Sequence, residues 1–178
     1  MTKFVALLRA VNVGGNNKIP MPDLRALLES MGYSGVTTYI QSGNVVFDSP
    51  ARTSRALVAP IEEAITRKFG LQIDVIVRTG RELKAAIDNN PFRAHAADQT
   101  VHIAFLDNAP DLRRLASIDL ARFTPDEFAI VGREAYLHLP HGVGQSKLPP
   151  VLVAKLAPTR ATVRNWNTVT KLAEMTAR

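Results

Sequence analysis

Thr37 to Asp48, TTYIQSGNVVFD, is the stretch from which the rest of the chain can be read. Two runs rich in β-branched and aromatic residues flank the polar segment Gln41-Ser42-Gly43-Asn44. Such a segment between such runs predicts a hairpin, with Gly43 or Asn44 supplying the positive φ that tight turns need. Helical patterns lie on either side of the hairpin, and a single apolar strand lies beyond each helix. The order is therefore β-α-β-β-α-β.

Working outward, Lys3 to Val11 (KFVALLRAV) is apolar at nearly every position, as in a strand covered on both faces. Asn12 to Lys18 (NVGGNNK) follows as a loop of residues that tolerate unusual backbone angles. A helix starts around Pro22, carries Leu24, Leu27, Leu28 and Met31 at helical spacing, and stops at Gly32. After the hairpin, Leu57, Ile61, Ile65 and Phe69 recur every four residues on a second helix that ends at Gly70. Pro60 shifts its regular start towards Ala59. The strand Ile73 to Arg78 closes this first unit, and Thr79-Gly80-Arg81-Glu82 has the form of a capping box that opens a further helix.

Beyond a polar connector from Asn89 to Gln99 the pattern partly repeats. A strand at Val101–Leu106, a helix at Asp111 to about Ala116, and strands at Phe128–Val131 and Ala135–Leu139 are expected. Two C-terminal helices should follow, Pro149 to Leu156 and Thr162 to Met175. The expected fold class is thus α+β: a ferredoxin-like split βαβ unit (βαββαβ) at 1–80, then a second, related partial unit with C-terminal helices at 81–178.

Composition excludes several classes of chemistry. With 178 residues, 46% of them hydrophobic, the chain can build a core. No apolar run approaches the roughly 20 residues of a membrane span, and Met1-Thr2-Lys3 leads straight into a strand without a signal-peptide cleavage site. A cytoplasmic protein that meets no membrane is expected. The absence of cysteine removes disulfides, thiolate metal sites and cysteine nucleophiles. A net charge of +6 favours an anionic partner, although the Arg and Lys residues are scattered.

The split βαβ arrangement makes the first and third strands antiparallel neighbours, so the loop after the first and the turn before the third should meet at one sheet edge. Asn12, Gly14, Gly15, Lys18, Gln41, Ser42 and Asn44 would gather there. Lys147, Arg164, Asn165 and Asn167 form the other donor-rich clusters. Convergence of these segments on one pocket would suit an anion, because exposed N–H groups and cations replace the water that a phosphate gives up. Turn chemistry alone also accounts for the Gly and Asn content of the two N-terminal loops, and a helix start with a core Trp accounts for Arg164 to Asn167.

The segments NVGGNNKIPM (12–21), TYIQSGNVVF (38–47), GQSKL (144–148) and VRNWNTVTKL (163–172) together resemble the bacterial family known as domain of unknown function 1697. The resemblance implies an α+β, ferredoxin-related fold in a small cytoplasmic bacterial protein, and brings no activity, substrate or catalytic residue with it. Val163 stands where the family commonly has a second threonine before Arg-Asn-Trp-Asn.

No catalytic constellation is visible. Ser42 and Ser146 have no companion His and Asp in a recognisable setting. His138 and His141 straddle Pro140 without a third ligand, so no metal is expected, and His95 and His102 stand alone. In GVGQSK the order Ser146-Lys147, with prolines following, is not that of a phosphate loop. No cofactor is called for, and the sequence leaves open the oligomeric state and whether any reaction is catalysed. Three functions remain: binding of a small anionic or phosphate-bearing ligand; weak, non-sequence-specific RNA binding; and a structural or protein-interaction role. RNA is disfavoured because Asn44 and Val46 stand where an RNA-recognition motif would place stacking aromatics.

Overall fold

The computed structural model describes residues 1–177. They form two compact α+β units, Met1–Ala85 together with the segment from Lys171 on, and Ala86–Thr170.

In the first unit, β1 (Thr2–Leu8), α1 (Met21–Ser30), β2 (Ser34–Tyr39), β3 (Asn44–Ser49), α2 (Val58–Phe69) and β4 (Val75–Thr79) follow the expected order. The sheet runs β2-β3-β1-β4. Leu7 pairs with Asn44 and Val5 with Val46, so β1 and β3 are antiparallel neighbours with no strand between them. Strand residues alternate between faces. Phe4, Ala6, Leu8, Phe47 and Val77 share one core with Leu24 and Leu28 of α1 and Ile61 and Ile65 of α2. Val5, Leu7, Val46 and Ile76, which point the other way, are also buried, and this is why the strands read as continuous apolar runs.

Glycine and polar side chains set the ends of these elements. Gly43 lies at φ 79°, and a Cβ there would come within 2.8 Å of the Leu8 Cβ, so only glycine fits the turn. Gly70 stops α2 in the left-handed region at φ 67°. Thr79 and Glu82 close the reciprocal capping box of α3 (Gly80–Asp88): the Thr79 N–H donates to Glu82 Oε2 at 2.7 Å and the Glu82 N–H to Thr79 Oγ1 at 3.1 Å.

The second unit contains β5 (Val101–Leu106), α4 (Leu112–Leu115), β6 (Glu127–Val131), β7 (Glu134–His138), α5 (Leu148–Leu156) and β8 (Ala161–Asn165), with sheet order β6-β7-β5-β8. Here one expectation is corrected. Residues 162–165 do not open the last helix. They form the strand that completes the unit, antiparallel to β5, and α6 (Trp166–Thr176) starts only after Asn165. Thr162 and Val163 are β-branched and extend readily, and the Asn165 side chain accepts the Thr168 N–H at 2.8 Å as the helix cap. The second unit is therefore β-α-β-β-α-β as well.

The likeness of the two units reaches individual residues. Arg78 on β4 lies opposite Val5, Arg164 on β8 lies opposite Ile103, and both arginines are buried. Each donates from Nη1 to the carbonyl of the residue before it, Val77 at 3.2 Å and Val163 at 2.9 Å, and each is followed by the residue that caps the next helix. Among the described residues no helix is long and apolar enough to cross a membrane.

Candidate functional site

The two N-terminal loops meet. Asn12 donates from Nδ2 to the Gln41 carbonyl at 2.7 Å and to the Ile19 carbonyl at 2.9 Å, and its Oδ1 accepts the Ile19 N–H at 2.9 Å. Asn44, fully buried, donates to the Tyr39 carbonyl and to Ser42 Oγ, both at 3.0 Å. These two amides hold the loops in shape. Gly14, Gly15, Lys18 and Gln41 are left facing solvent. Left-handed backbone is concentrated here: Ala10, Asn12, Gly14, Gly15 and Asn17 in one loop, Ile40 and Gly43 in the other. A β-branched Ile40 at φ 50° is a genuine outlier, and strain of this kind collects where surrounding structure over-determines the backbone.

In the second unit, strand alternation separates the C-terminal candidates. Arg164 pairs with Ile103 and Asn165 with His102, so their side chains take opposite faces of the sheet. Arg164 is buried, donates to Thr162 Oγ1 at 2.8 Å, and has its pKa held down to about 10 by burial. Asn165 and Asn167 are exposed beside a small pocket next to His102 and Trp166. Lys147 lines a different and larger cleft.

That cleft, of about 1150 Å³, is built from the segment 117–126, the loop 141–147 and one face of α5. Phe123, Ile118 and Val151 supply its apolar wall, and Arg122, Lys147 and Lys155 its cations. Two carboxylates also line it, and both are engaged. Asp126 accepts the Ser146 hydroxyl at 2.6 Å, while Asp119 accepts the Ala121 N–H at 3.2 Å. Ser146 Oγ in turn accepts the Leu148 N–H at 3.1 Å at the start of α5, fixing the loop that carries Lys147. None of the three cations forms an ion pair among the described residues. The arrangement can hold a negative charge against an apolar wall. The Ser146 hydroxyl is bonded to the Asp126 carboxylate and to no imidazole, and it is held in place by also accepting the Leu148 N–H.

Sequence reasoning missed Arg122, Lys155 and Phe123. A signal was present in part: Lys147, Val151 and Lys155 are four apart, the spacing that puts residues on one helical face. His95 was also misread as solitary. Its ring stacks on His138 at 4.0 Å, and His138 Nδ1 lies 3.2 Å from Glu127 Oε2.

Fold and site together define an α+β protein of two like units, the second of which carries a cationic, apolar-walled cleft. Residues 1–136 match the family described as "Protein of unknown function (DUF1697)", and the chain belongs to that family. Its fold is similar to that of the conserved bacterial protein SP0830 from Streptococcus pneumoniae, with a TM-score of 0.78 and 21% identity over 100% of this chain and 99% of that one. No curated protein matches.

Proposed function

We propose that the protein binds a small phosphate-bearing or otherwise anionic organic ligand in the cleft of the second unit. One observation carries this reading: Arg122, Lys147 and Lys155 surround an apolar wall without acidic partners among the described residues, while both cleft carboxylates are occupied by neighbouring donors. Unpaired cations at the mouth of an apolar cavity favour an anion attached to an organic body, since the charge is met without desolvating an existing ion pair. The N-terminal loops, with Lys18 and the Gly14-Gly15 backbone exposed, form a second anion-facing surface on the other unit. A cytoplasmic setting fits this reading, because phosphorylated metabolites and a cysteine-free chain both belong naturally there.

Calorimetric titration with sugar phosphates, nucleotides and their unphosphorylated counterparts tests the proposal. Phosphorylated ligands should bind more tightly, with affinity falling as salt rises. Lys147→Ala and Arg122→Ala should each weaken them by about tenfold, the loss of one charge-assisted bond. Equal affinity for phosphorylated and unphosphorylated ligands, unchanged in both variants, would remove the cleft from consideration.

A further inference from the structure

The smaller pocket of the second unit has a different character. It encloses about 230 Å³, below the roughly 300–1,000 Å³ of sites for drug-sized ligands. No Asp, Glu, Lys or Arg lines it. Its polar groups are the amides of Gln99, Asn165 and Asn167 and the ring of His102, and its aromatic surface is Trp166. Among the described residues the Gln99 and Asn167 side chains make no hydrogen bond, and Asn165 uses only Oδ1, as the cap of α6. His102 is 8% exposed, and its buried Nδ1 has no hydrogen-bond partner. Burial also holds the His102 pKa below its ordinary value, with a hydrogen bond to the Thr100 backbone opposing, which favours the neutral ring.

We propose that this pocket takes a neutral, planar, hydrogen-bonding ring of the nucleobase type, stacked on Trp166 and read by the amides of Gln99, Asn165 and Asn167. The Gln99 and Asn167 amides each present a donor and an acceptor side by side, the pattern that pairs with the edge of a heterocyclic base, and Asn165 adds its Nδ2 donor. An indole face adds stacking that every base can use. An anion would find no countercharge here, and an aliphatic ligand would strand three amides and an imidazole. The inference goes beyond the anion reading and stands on other residues, but the two cavities adjoin along the chain. His141 lines the cleft and Gly142, the next residue, lines the pocket.

Trp166 is the only tryptophan of the chain, so its fluorescence reports on this pocket alone. Adenosine and uridine titrated into the full-length protein should quench or shift that emission, and inorganic phosphate should not. Asn167→Ala and Gln99→Asn, both checked for unchanged unfolding, should each weaken the nucleoside by about tenfold. A short single-stranded RNA separates a free nucleoside ligand from a base presented by a polymer: binding more than tenfold tighter than the nucleoside identifies the polymer, and equal binding the free base. Nucleosides that bind no better once phosphorylated would support the pocket and sink the cleft. Ribose 5-phosphate binding without any nucleoside response would leave the cleft standing and overturn the pocket. Unchanged nucleoside affinity in both variants, or a Trp166 response to phosphate alone, would also overturn it.

Discussion

Arg78 and Arg164 hold the same position in two different units, each buried on the last strand of its sheet and each bonded to the carbonyl of the preceding residue. A guanidinium has five donors in a rigid fork, which lysine cannot reproduce. Arg164→Lys should therefore destabilise the protein by about 2–4 kcal/mol, as when a buried hydrogen-bonded charge loses its geometry. Urea denaturation measures this. A variant within 0.5 kcal/mol of the parent, the range of ordinary surface changes, would show that the buried fork is dispensable.

Asn12 makes three hydrogen bonds, two that close its own loop on Ile19 and one that ties it to the Gln41 carbonyl, and it does so at φ 55°. Asn12→Ala loses the bonds and strains the backbone, while Asn12→Gly loses only the bonds. The alanine variant should be less stable than the parent by about 2–3 kcal/mol and the glycine variant by less, since a typical bond contributes about 1 kcal/mol and glycine tolerates positive φ. The order of the three urea midpoints is the check, and an alanine variant more stable than the glycine one would contradict the assignment.

Ser146 occupies one oxygen of Asp126 and also caps the first turn of α5. Ser146→Ala should lower stability by about 1 kcal/mol, as for a lost helix cap. It should also weaken an anionic ligand in the cleft, because the Asp126 carboxylate is then left without its donor beside the site. Thermal unfolding with and without ligand separates the two effects. Lower stability with unaltered ligand affinity would mean that Asp126 does not face the bound anion.

His102 gives a pH dependence with a definite sign. Its pKa in the folded protein is lowered from 6.5 by burial, so the unfolded chain binds a proton where the folded chain resists it. Above pH 6.5 both states are neutral and the residue has no influence. As pH falls below 6.5, stability should decline until the folded-state pKa is reached. Comparing urea midpoints at pH 7.5 and 5.5 for the parent and His102→Gln isolates this, with a shallower decline expected in the variant. Equal declines would assign the effect to other groups.

What the sequence showed and what it hid follow from the range of the interactions. The hairpin, the stop at Gly70 and the Thr79–Glu82 capping box rest on residues within a few positions of one another, and each is present. The meeting of Asn12 with Gln41 was legible because the strand order brings them together. Strand β8 was missed because five residues ending in Arg-Asn, just before a Trp-led helix, show too little alternation to oppose a helical reading. The cleft was hidden for another reason. Arg122, Asp126, Ser146 and Lys155 belong to separate elements, and only tertiary packing places them around one cavity. His102 looked ordinary because its burial comes from tertiary packing, which a sequence does not display.

The return of the chain's end to its beginning bears on how the protein is made. The first unit includes the segment from Lys171 on, and Thr176 stands so close to Gly80 that a Cβ at Gly80 would lie 2.9 Å from its Cβ. The second sheet gains its closing strand only with Ala161–Asn165. During vectorial synthesis neither unit has all its parts until residues beyond Ala161 have left the ribosome, although the first sheet is complete in sequence by Thr79. Nascent chains halted before Ala161 should accordingly expose apolar strand surface that the finished protein conceals, and should lean on chaperones more heavily than the length of either unit implies.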